Sequence, residues 1–177
     1  DASALPFEEN VSETKEVVDY FHPLGVPVEA ELGHVGREKV YEDALAQYHY
    51  TEADKAAEFV ERTGCDSLAV AIGNVHGVYS AKPKIAFDVL KSVRNAVEVP
   101  LVLHGASGIP DDDVKKAVSL GICKVNIHTE LGLAASDSIR EHETLPYLEL
   151  QKYVREAVKQ RAMEKIVLMG DQDKEED

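Results

Sequence analysis

Residues 101–110, LVLHGASGIP, carry a short apolar run directly into a histidine and a glycine-rich turn. Residues 68–77, LAVAIGNVHG, repeat this arrangement around His76. Nearly continuous apolar runs of this length are typical of strands buried on both faces, as in parallel sheets. Polar residues that directly follow such strands lie at the carboxyl edge of the sheet, where α/β proteins place their binding sites.

The flanking sequence alternates further apolar segments with helical patterns. Strands are predicted in VPVEAEL, DSLAVAIG, VPLVLH and CKVNI. Helices are predicted in SETKEVVDYFHPLG, in EADKAAEFVERTG with Thr51 as its N-cap, in FDVLKSVRNAV, in PDDDVKKAVSLG, and from Thr129 almost to Gly170 with a break near Pro146. Such alternation indicates crossover units and a parallel sheet.

We expect a (β/α)8 TIM barrel rather than the doubly wound alternative, since no GxGxxG fingerprint supports a dinucleotide-binding fold. A TIM barrel takes about 250 residues and eight strands. The 177 residues contain four complete strand patterns, preceded by a stub at Asp1. We therefore expect strands 5–8 and the C-terminal helices of one longer domain, with an acidic tail at 171–177.

Composition narrows the possible partners. The net charge is -14, which argues against nucleic acid and anionic membranes as partners. No apolar run approaches the ~18 residues of a membrane span, and no signal-peptide pattern opens the chain. A cytoplasmic protein is expected, with Cys65 and Cys123 as buried, reduced thiols.

His76 and His104 each end an apolar strand and precede a glycine. Two imidazoles at one edge of a barrel can converge on a Zn, Fe, Co or Mn ion, which needs a third ligand for a catalytic zinc site. The alternative is that each histidine packs at the rim without a metal. The histidines at 22, 34, 49 and 142 fall in helix ends or loops, so a solvated or capping role is expected for them.

Two polar loops also suggest a phosphate site. GASG follows His104, and NIHT occupies residues 126–129 after the last strand. Backbone N–H groups and hydroxyls in such turns bind phosphate, although Gly105 and Gly108 could serve only a tight turn. A metal ion together with a phosphorylated ketone indicates aldol chemistry without a Schiff-base lysine.

The sequence resembles the class II, metal-dependent ketose-bisphosphate aldolases, which include fructose- and tagatose-bisphosphate aldolases. DASALPFEEN, VPVEAELGHVG, FVERTGCDSLAVAIGNVHGVY, the region from PKIAFDVL to KVNIHTEL and the helical C-terminus carry the resemblance, which covers essentially all 177 residues. It implies a (β/α)8 barrel, zinc or another divalent ion, and dihydroxyacetone phosphate as the ketone half of the substrate.

By position, the resemblance makes His76 and His104 ligands of the catalytic ion, and Asp1 and Glu31 ligands of a second metal position. Its contacts to dihydroxyacetone phosphate fall on Gly77, Gly105, Ala106, Ser107, Asn126, Ile127, His128 and Thr129. A monovalent cation, Na+ or K+, is expected near Val75, Gly77, Gly105 and Ser107. The loop 33–50 is expected to close over substrate, with Glu38 as proton acceptor.

The sequence departs from the family pattern in three places. The family's catalytic Asp-His pair falls upstream of Asp1. The loop reads GREK, with Glu38 offset by about one place, and His128 replaces a small or acidic residue.

The expected reaction is cleavage of a ketose 1,6-bisphosphate to dihydroxyacetone phosphate and glyceraldehyde 3-phosphate. The alternative is a non-catalytic barrel subunit that supports an active partner. A homo-oligomer is expected, because the long C-terminal helices could cover a second subunit.

Overall fold

The computed structural model describes residues 1–35, 50–75 and 83–170. The chain divides into two compact units, Asp1–Asn126 and Ile127–Asp177. The strands in the described residues are β1 (Glu29–Leu32), β2 (Ser67–Val70), β3 (Leu101–Leu103) and β4 (Ile122–Val125). The α-helices there are α1 (Phe7–Phe21), α2 (Ala53–Thr63), α3 (Phe87–Ala96), α4 (Asp111–Ser119), α5 (Thr129–Glu141) and α6 (Tyr147–Met169).

The first unit contains one parallel sheet, which confirms the predicted α/β class. Its strand order is β1-β2-β3-β4, so each strand pairs with the one that precedes it in the chain. Glu31 lies beside Ala69, Ala69 beside Val102, and Val102 beside Lys124. Parallel neighbours in register point to the same face, so these four residues lie on one face of the sheet.

Apolar side chains from the strands and helices form the core of this unit. Leu68, Val70, Leu101 and Leu103 have no exposed surface, and neither does Phe59 on α2. On α3 and α4 the buried residues are spaced three apart, at Leu90 and Val93 and at Val114 and Ala117. That spacing leaves one face of each helix in solvent. Both helices were predicted from the helical patterns of FDVLKSVRNAV and PDDDVKKAVSLG.

Several boundaries and environments differ from the expectations. Thr51 is not an N-cap, because Glu52 holds that position and Thr51 is buried. Its hydroxyl donates to the carbonyl of Leu32 and accepts from the backbone N–H of Ala71 at 2.8 Å, and so joins the carboxyl ends of β1 and β2. Cys65 is buried as expected, but Cys123 is exposed because it lies on β4, the outer strand of the described sheet.

In the second unit, α5 and α6 pack against each other. Pro146 is the N-cap of α6, which confirms the predicted break. Glu130 pairs with Lys165 at 3.1 Å, and the ring of His142 stacks on Tyr153 with centroids 4.0 Å apart. In the described part of the chain, no helix combines the length and apolar character that a membrane crossing requires.

Candidate metal and substrate site

His104 directly follows β3, and its ring lies between two carboxylates of β1. Nδ1 is 2.6 Å from Oε2 of Glu31, and Nε2 is 3.1 Å from Oε1 of Glu29. Glu29 and Glu31 are two residues apart on one strand, so the pleat directs both side chains to the same face. One histidine and two carboxylates therefore meet on one face of the sheet, where His104 follows the carboxyl end of β3.

Buried hydrogen bonds hold Glu31 in place. Its side chain is only 2% exposed. Oε1 accepts hydrogen bonds from the Ser3 hydroxyl at 2.7 Å and from the Val35 backbone N–H at 3.1 Å. The side-chain amide of Asn10 donates to the Glu31 carbonyl at 3.0 Å, and thereby ties α1 to the end of β1. Both carboxylate oxygens and the carbonyl of this buried residue thus have partners, as burial requires.

Ser3 links Glu31 to Asp1, the two residues that the resemblance assigns to a second metal position. The Ser3 backbone N–H donates to Oδ1 of Asp1 at 2.9 Å, while its hydroxyl donates to Glu31. Nδ1 of His34 contacts the same hydroxyl at 3.1 Å. A solvated or capping role was expected for His34; its side chain is 53% exposed, and it also belongs to this hydrogen-bonded group.

The electrostatics of His104 and its two carboxylates favour charged groups. The hydrogen bond to Glu31 raises the pKa of His104 above its usual value, and Glu29 adds to this effect against the opposing effect of burial. Burial alone would raise the pKa of Glu31, but hydrogen bonds from His104, Val35 and Ser3 hold it below the usual value. A site that keeps carboxylates ionised beside an imidazole offers the nitrogen and oxygen donors that divalent ions prefer.

Glu29 also reaches Lys124 on β4. The Lys124 ammonium lies 3.0 and 2.9 Å from the two oxygens of Glu29. In a flat sheet, the backbones of the first and fourth strands would be about 14 Å apart, too far for side chains that stand perpendicular to the sheet to meet. The sheet therefore curves toward the face that carries these residues.

Asn74 fixes the backbone of His104. It is fully buried, its amide donates to the His104 carbonyl at 2.9 Å, and its Oδ1 accepts from the N–H of Ile72 at 2.8 Å. Asn74 belongs to the NVHG motif, yet sequence reasoning assigned it no role. Glu29, Lys124 and Ser3 were missed as well, although the Glu-Ala-Glu alternation in VPVEAEL pointed to the first of them.

The loop after His104 forms a tight turn. Gly105 and Gly108 have φ values of 61° and 87°, in the left-handed region that favours glycine. The Ala106 N–H donates to the Asn126 carbonyl at 3.2 Å, and Ser107 is buried. The turn by itself accounts for both glycines, so phosphate binding by this loop stays a prediction. In the second unit, His128 is the N-cap of α5 and Thr129 its first residue, directly after Ile127.

The described residues bring together two donors of the kinds that divalent ions prefer. His104 and Glu31 supply one nitrogen and one oxygen donor at the rim, and this donor chemistry fits a divalent ion. Among residues 1–35, 50–75 and 83–170, no three His, Cys, Asp or Glu side chains form a group that could hold a metal. His76, Gly77 and Glu38 lie outside the described residues.

A parallel sheet with His104 directly after one strand and Glu31 near the end of another has the layout of an α/β protein whose functional site lies at the strand ends. The family model "Fructose-bisphosphate aldolase class-II" matches residues 1–174, and the chain belongs to this family. The resemblance noted in the sequence is thereby confirmed.

Individual relatives of known sequence or structure agree with this family assignment. The chain is 66% identical over 176 residues to YdjI of Escherichia coli K12, a protein named as uncharacterized; the match covers 99% of this chain and 63% of YdjI. The crystal structure of the YdjI aldolase from that organism superposes with a TM-score of 0.85 at 60% identity, over 99% of this chain and 61% of that one.

A more distant structure, a fructose-1,6-bisphosphate aldolase from Coccidioides immitis described as putative, superposes with a TM-score of 0.86. It shares 29% identity over 96% of this chain and 61% of its own. The chain thus spans less than two thirds of the length of these relatives.

Proposed function

We propose that the full-length protein is a metal-dependent aldolase that cleaves a ketose 1,6-bisphosphate to dihydroxyacetone phosphate and glyceraldehyde 3-phosphate. Fructose and tagatose bisphosphates are the candidate substrates. The observation that carries the proposal is the ring of His104, held between Glu31 and Glu29 at the carboxyl edge of the sheet in a member of the class II family.

His104 and His76 would hold the catalytic ion, zinc or another divalent metal, while Asp1 and Glu31 would serve a second position. The ion, when bound, supplies a Lewis acid for the ketone oxygen. The hydrogen bonds of Ser3 support the second metal position, because Ser3 donates to both Asp1 and Glu31.

The loop 105–107, together with Gly77 and Asn126, is proposed to bind the phosphate of dihydroxyacetone phosphate. Its backbone N–H groups and the Ser107 hydroxyl are the expected donors. A Na+ or K+ ion would lie beside that phosphate, near Val75, Gly77, Gly105 and Ser107. Contacts at residues 127–129 and proton transfer by Glu38 stay predictions from the resemblance.

We further propose that the four strands are strands 5–8 of a TIM barrel. The curvature that lets Glu29 reach Lys124 supports closure into a barrel. A cytoplasmic homo-oligomer is also proposed. Its support is the exposed apolar surface of α6, where Tyr147, Leu148 and Ile166 are 70%, 73% and 66% exposed.

A coupled assay on the full-length protein tests the reaction. Both sugar bisphosphates are supplied to the purified protein, to the chelated protein, and to the chelated protein after zinc is restored. We expect turnover that chelation removes and zinc restores. His104→Ala should lower turnover by more than about 100-fold, since loss of an outer-sphere partner alone costs about 10- to 100-fold in metal sites.

His22→Gln is the matched control. His22 bonds to Asp66 at the opposite, amino edge of the sheet, so this variant should retain turnover. Turnover that survives exhaustive chelation would overturn the metal dependence. A folded protein without turnover on either sugar would favour the non-catalytic barrel subunit.

A further inference from the structure

We propose that Glu29 is a positioning residue for the metal site. Its carboxylate accepts a hydrogen bond from Nε2 of His104 and thereby holds the imidazole with Nδ1 toward the ion, while Lys124 holds Glu29. This inference rests on the metal-dependent function proposed above and names a residue that the family resemblance did not assign.

Each ring nitrogen of His104 faces a different carboxylate, so the two carboxylates compete for the role of outer partner. Glu31 lies 2.6 Å from Nδ1, and Glu29 lies 3.1 Å from Nε2. A metal-bound histidine nearly always donates its second ring N–H to a carboxylate, a carbonyl or water, and that bond fixes the tautomer and the ring orientation. The question is therefore which of the two carboxylates accepts this bond.

The ion pair with Lys124 indicates that Glu29 is the carboxylate that accepts this bond. Its ammonium contacts both oxygens of Glu29, at 3.0 and 2.9 Å, and neutralises that carboxylate. A carboxylate paired in this way is a weak ligand for a cation, but it can still accept an N–H. Glu31 has no lysine or arginine among its partners in the described residues. The bond from Nε2 to Glu29 would therefore be the orienting bond, and Nδ1 would be left to hold the ion.

The sheet leaves room for this arrangement at Ala69. Ala69 lies between Glu31 of β1 and Val102 of β3 in the strand register, on the face that carries the glutamates. Because an alanine ends at its methyl group, side chains from β1 can cross β2 and reach His104 at the end of β3. A larger residue there would occupy the space between the glutamates and the imidazole.

Metal affinity of the full-length protein tests the proposal independently of turnover. The dissociation constant for Zn2+ is measured by competition with a chelator for the parent, Glu29→Ala, Glu29→Gln and the control Glu98→Ala. Glu98 is an exposed residue between α3 and β3. We expect Glu29→Ala to weaken zinc binding about 10- to 100-fold. Glu29→Gln should lose less, because its amide oxygen still accepts from Nε2, and Glu98→Ala should match the parent.

A second measurement covers the possibility that Glu29→Ala folds poorly. Imidazole nitrogen NMR of the zinc-loaded parent should show His104 bound through Nδ1 with its proton on Nε2. Zinc bound through Nε2 overturns the proposal, and so does parent-like affinity of a folded Glu29→Ala. Equal losses in the alanine and glutamine variants overturn it too. If the parent binds no zinc through His104, by comparison with His104→Ala, the proposed function fails as well.

Discussion

Asp66 joins the segments that enter the first two strands. Its Oδ2 accepts from the Val28 backbone N–H at 2.6 Å and contacts Nε2 of His22 at 2.9 Å, while its own N–H donates to the Val28 carbonyl. The Val28 N–H, together with His22, lowers the pKa of Asp66 below its usual value. The folded state therefore stabilises the ionised form of Asp66 relative to the unfolded state.

This environment predicts a pH-dependent effect of Asp66→Asn. A depressed folded-state pKa stabilises the protein above the unfolded-state pKa, near 3.9 for aspartate, and that stability is lost as the pH falls through the folded-state value. The free energy of unfolding of the parent should exceed that of Asp66→Asn at pH 7. The two should converge in acid, as measured by urea unfolding across the pH range.

Asp19→Asn is the control for that series. Asp19 is an exposed partner of Lys15 within one helix, a type of pair that contributes at most about 1 kcal/mol. Its difference from the parent should therefore stay small at every pH. A gap between parent and Asp66→Asn that is constant down to the most acidic point would contradict the assigned carboxylate role.

At the scale of single residues, sequence analysis could identify residues whose role shows in the residues next to them in the chain. It missed residues whose role depends on partners far away in the chain. His104 was found because it ends an apolar run before a glycine. Lys124 was not, because its partner Glu29 is 95 residues away and the two meet only through sheet curvature. No local pattern encodes that curvature, so residues that depend on it are visible only in the structure.

At the scale of secondary-structure elements, the segment that follows β2 requires a glycine at position 73. Gly73 has φ +100°, and a Cβ added there would lie 2.4 Å from the backbone carbonyl oxygen of Lys84. Backbone cannot move aside as a flexible side chain can. Gly73→Ala should therefore lower the free energy of unfolding by about 1–3 kcal/mol, measured by denaturant titration, and should displace Asn74 from the His104 carbonyl.

Gly132→Ala provides the matched control. Gly132 lies within α5, and an added Cβ meets nothing within 4 Å. Alanine is a better helix former than glycine by up to about 1 kcal/mol, so this variant should be as stable as the parent or more so. If both glycine variants lose the same stability, the close approach at Gly73 is not the cause.

Element type was predictable for the described strands and helices, whereas element ends were not. Helix α1 starts at Phe7, before the predicted SETKEVV, with Pro6 at the N-cap position, where its carbonyl accepts from the Asn10 N–H at 2.9 Å. Strand β1 begins at Glu29 although the predicted run starts at Val26, since Pro27 has no N–H to give to a ladder and the Val28 N–H binds Asp66. Strand and helix ends depend on tertiary hydrogen bonds, which periodicity does not report.

At the largest scale, the charge of these 177 residues opposes the proposed substrate. Their net charge of -14 repels a bisphosphate at long range, and salt screens that repulsion. Raising the ionic strength from about 0.01 to 0.15 M shortens the Debye length from about 30 to 8 Å. We expect kcat/KM of the full-length protein to rise over this range, while kcat at saturating sugar changes little. A falling kcat/KM would show that a local positive field dominates.

The strand order has a consequence for synthesis on the ribosome. Because β1 to β4 are neighbours in chain order, each later strand emerges after its partner has already been made. Translation adds about 5–20 residues per second, so successive strands leave the exit tunnel seconds apart and can add to an existing template one at a time. From β1 to β4, no strand has to wait for a segment not yet translated before it can pair with the strand made before it.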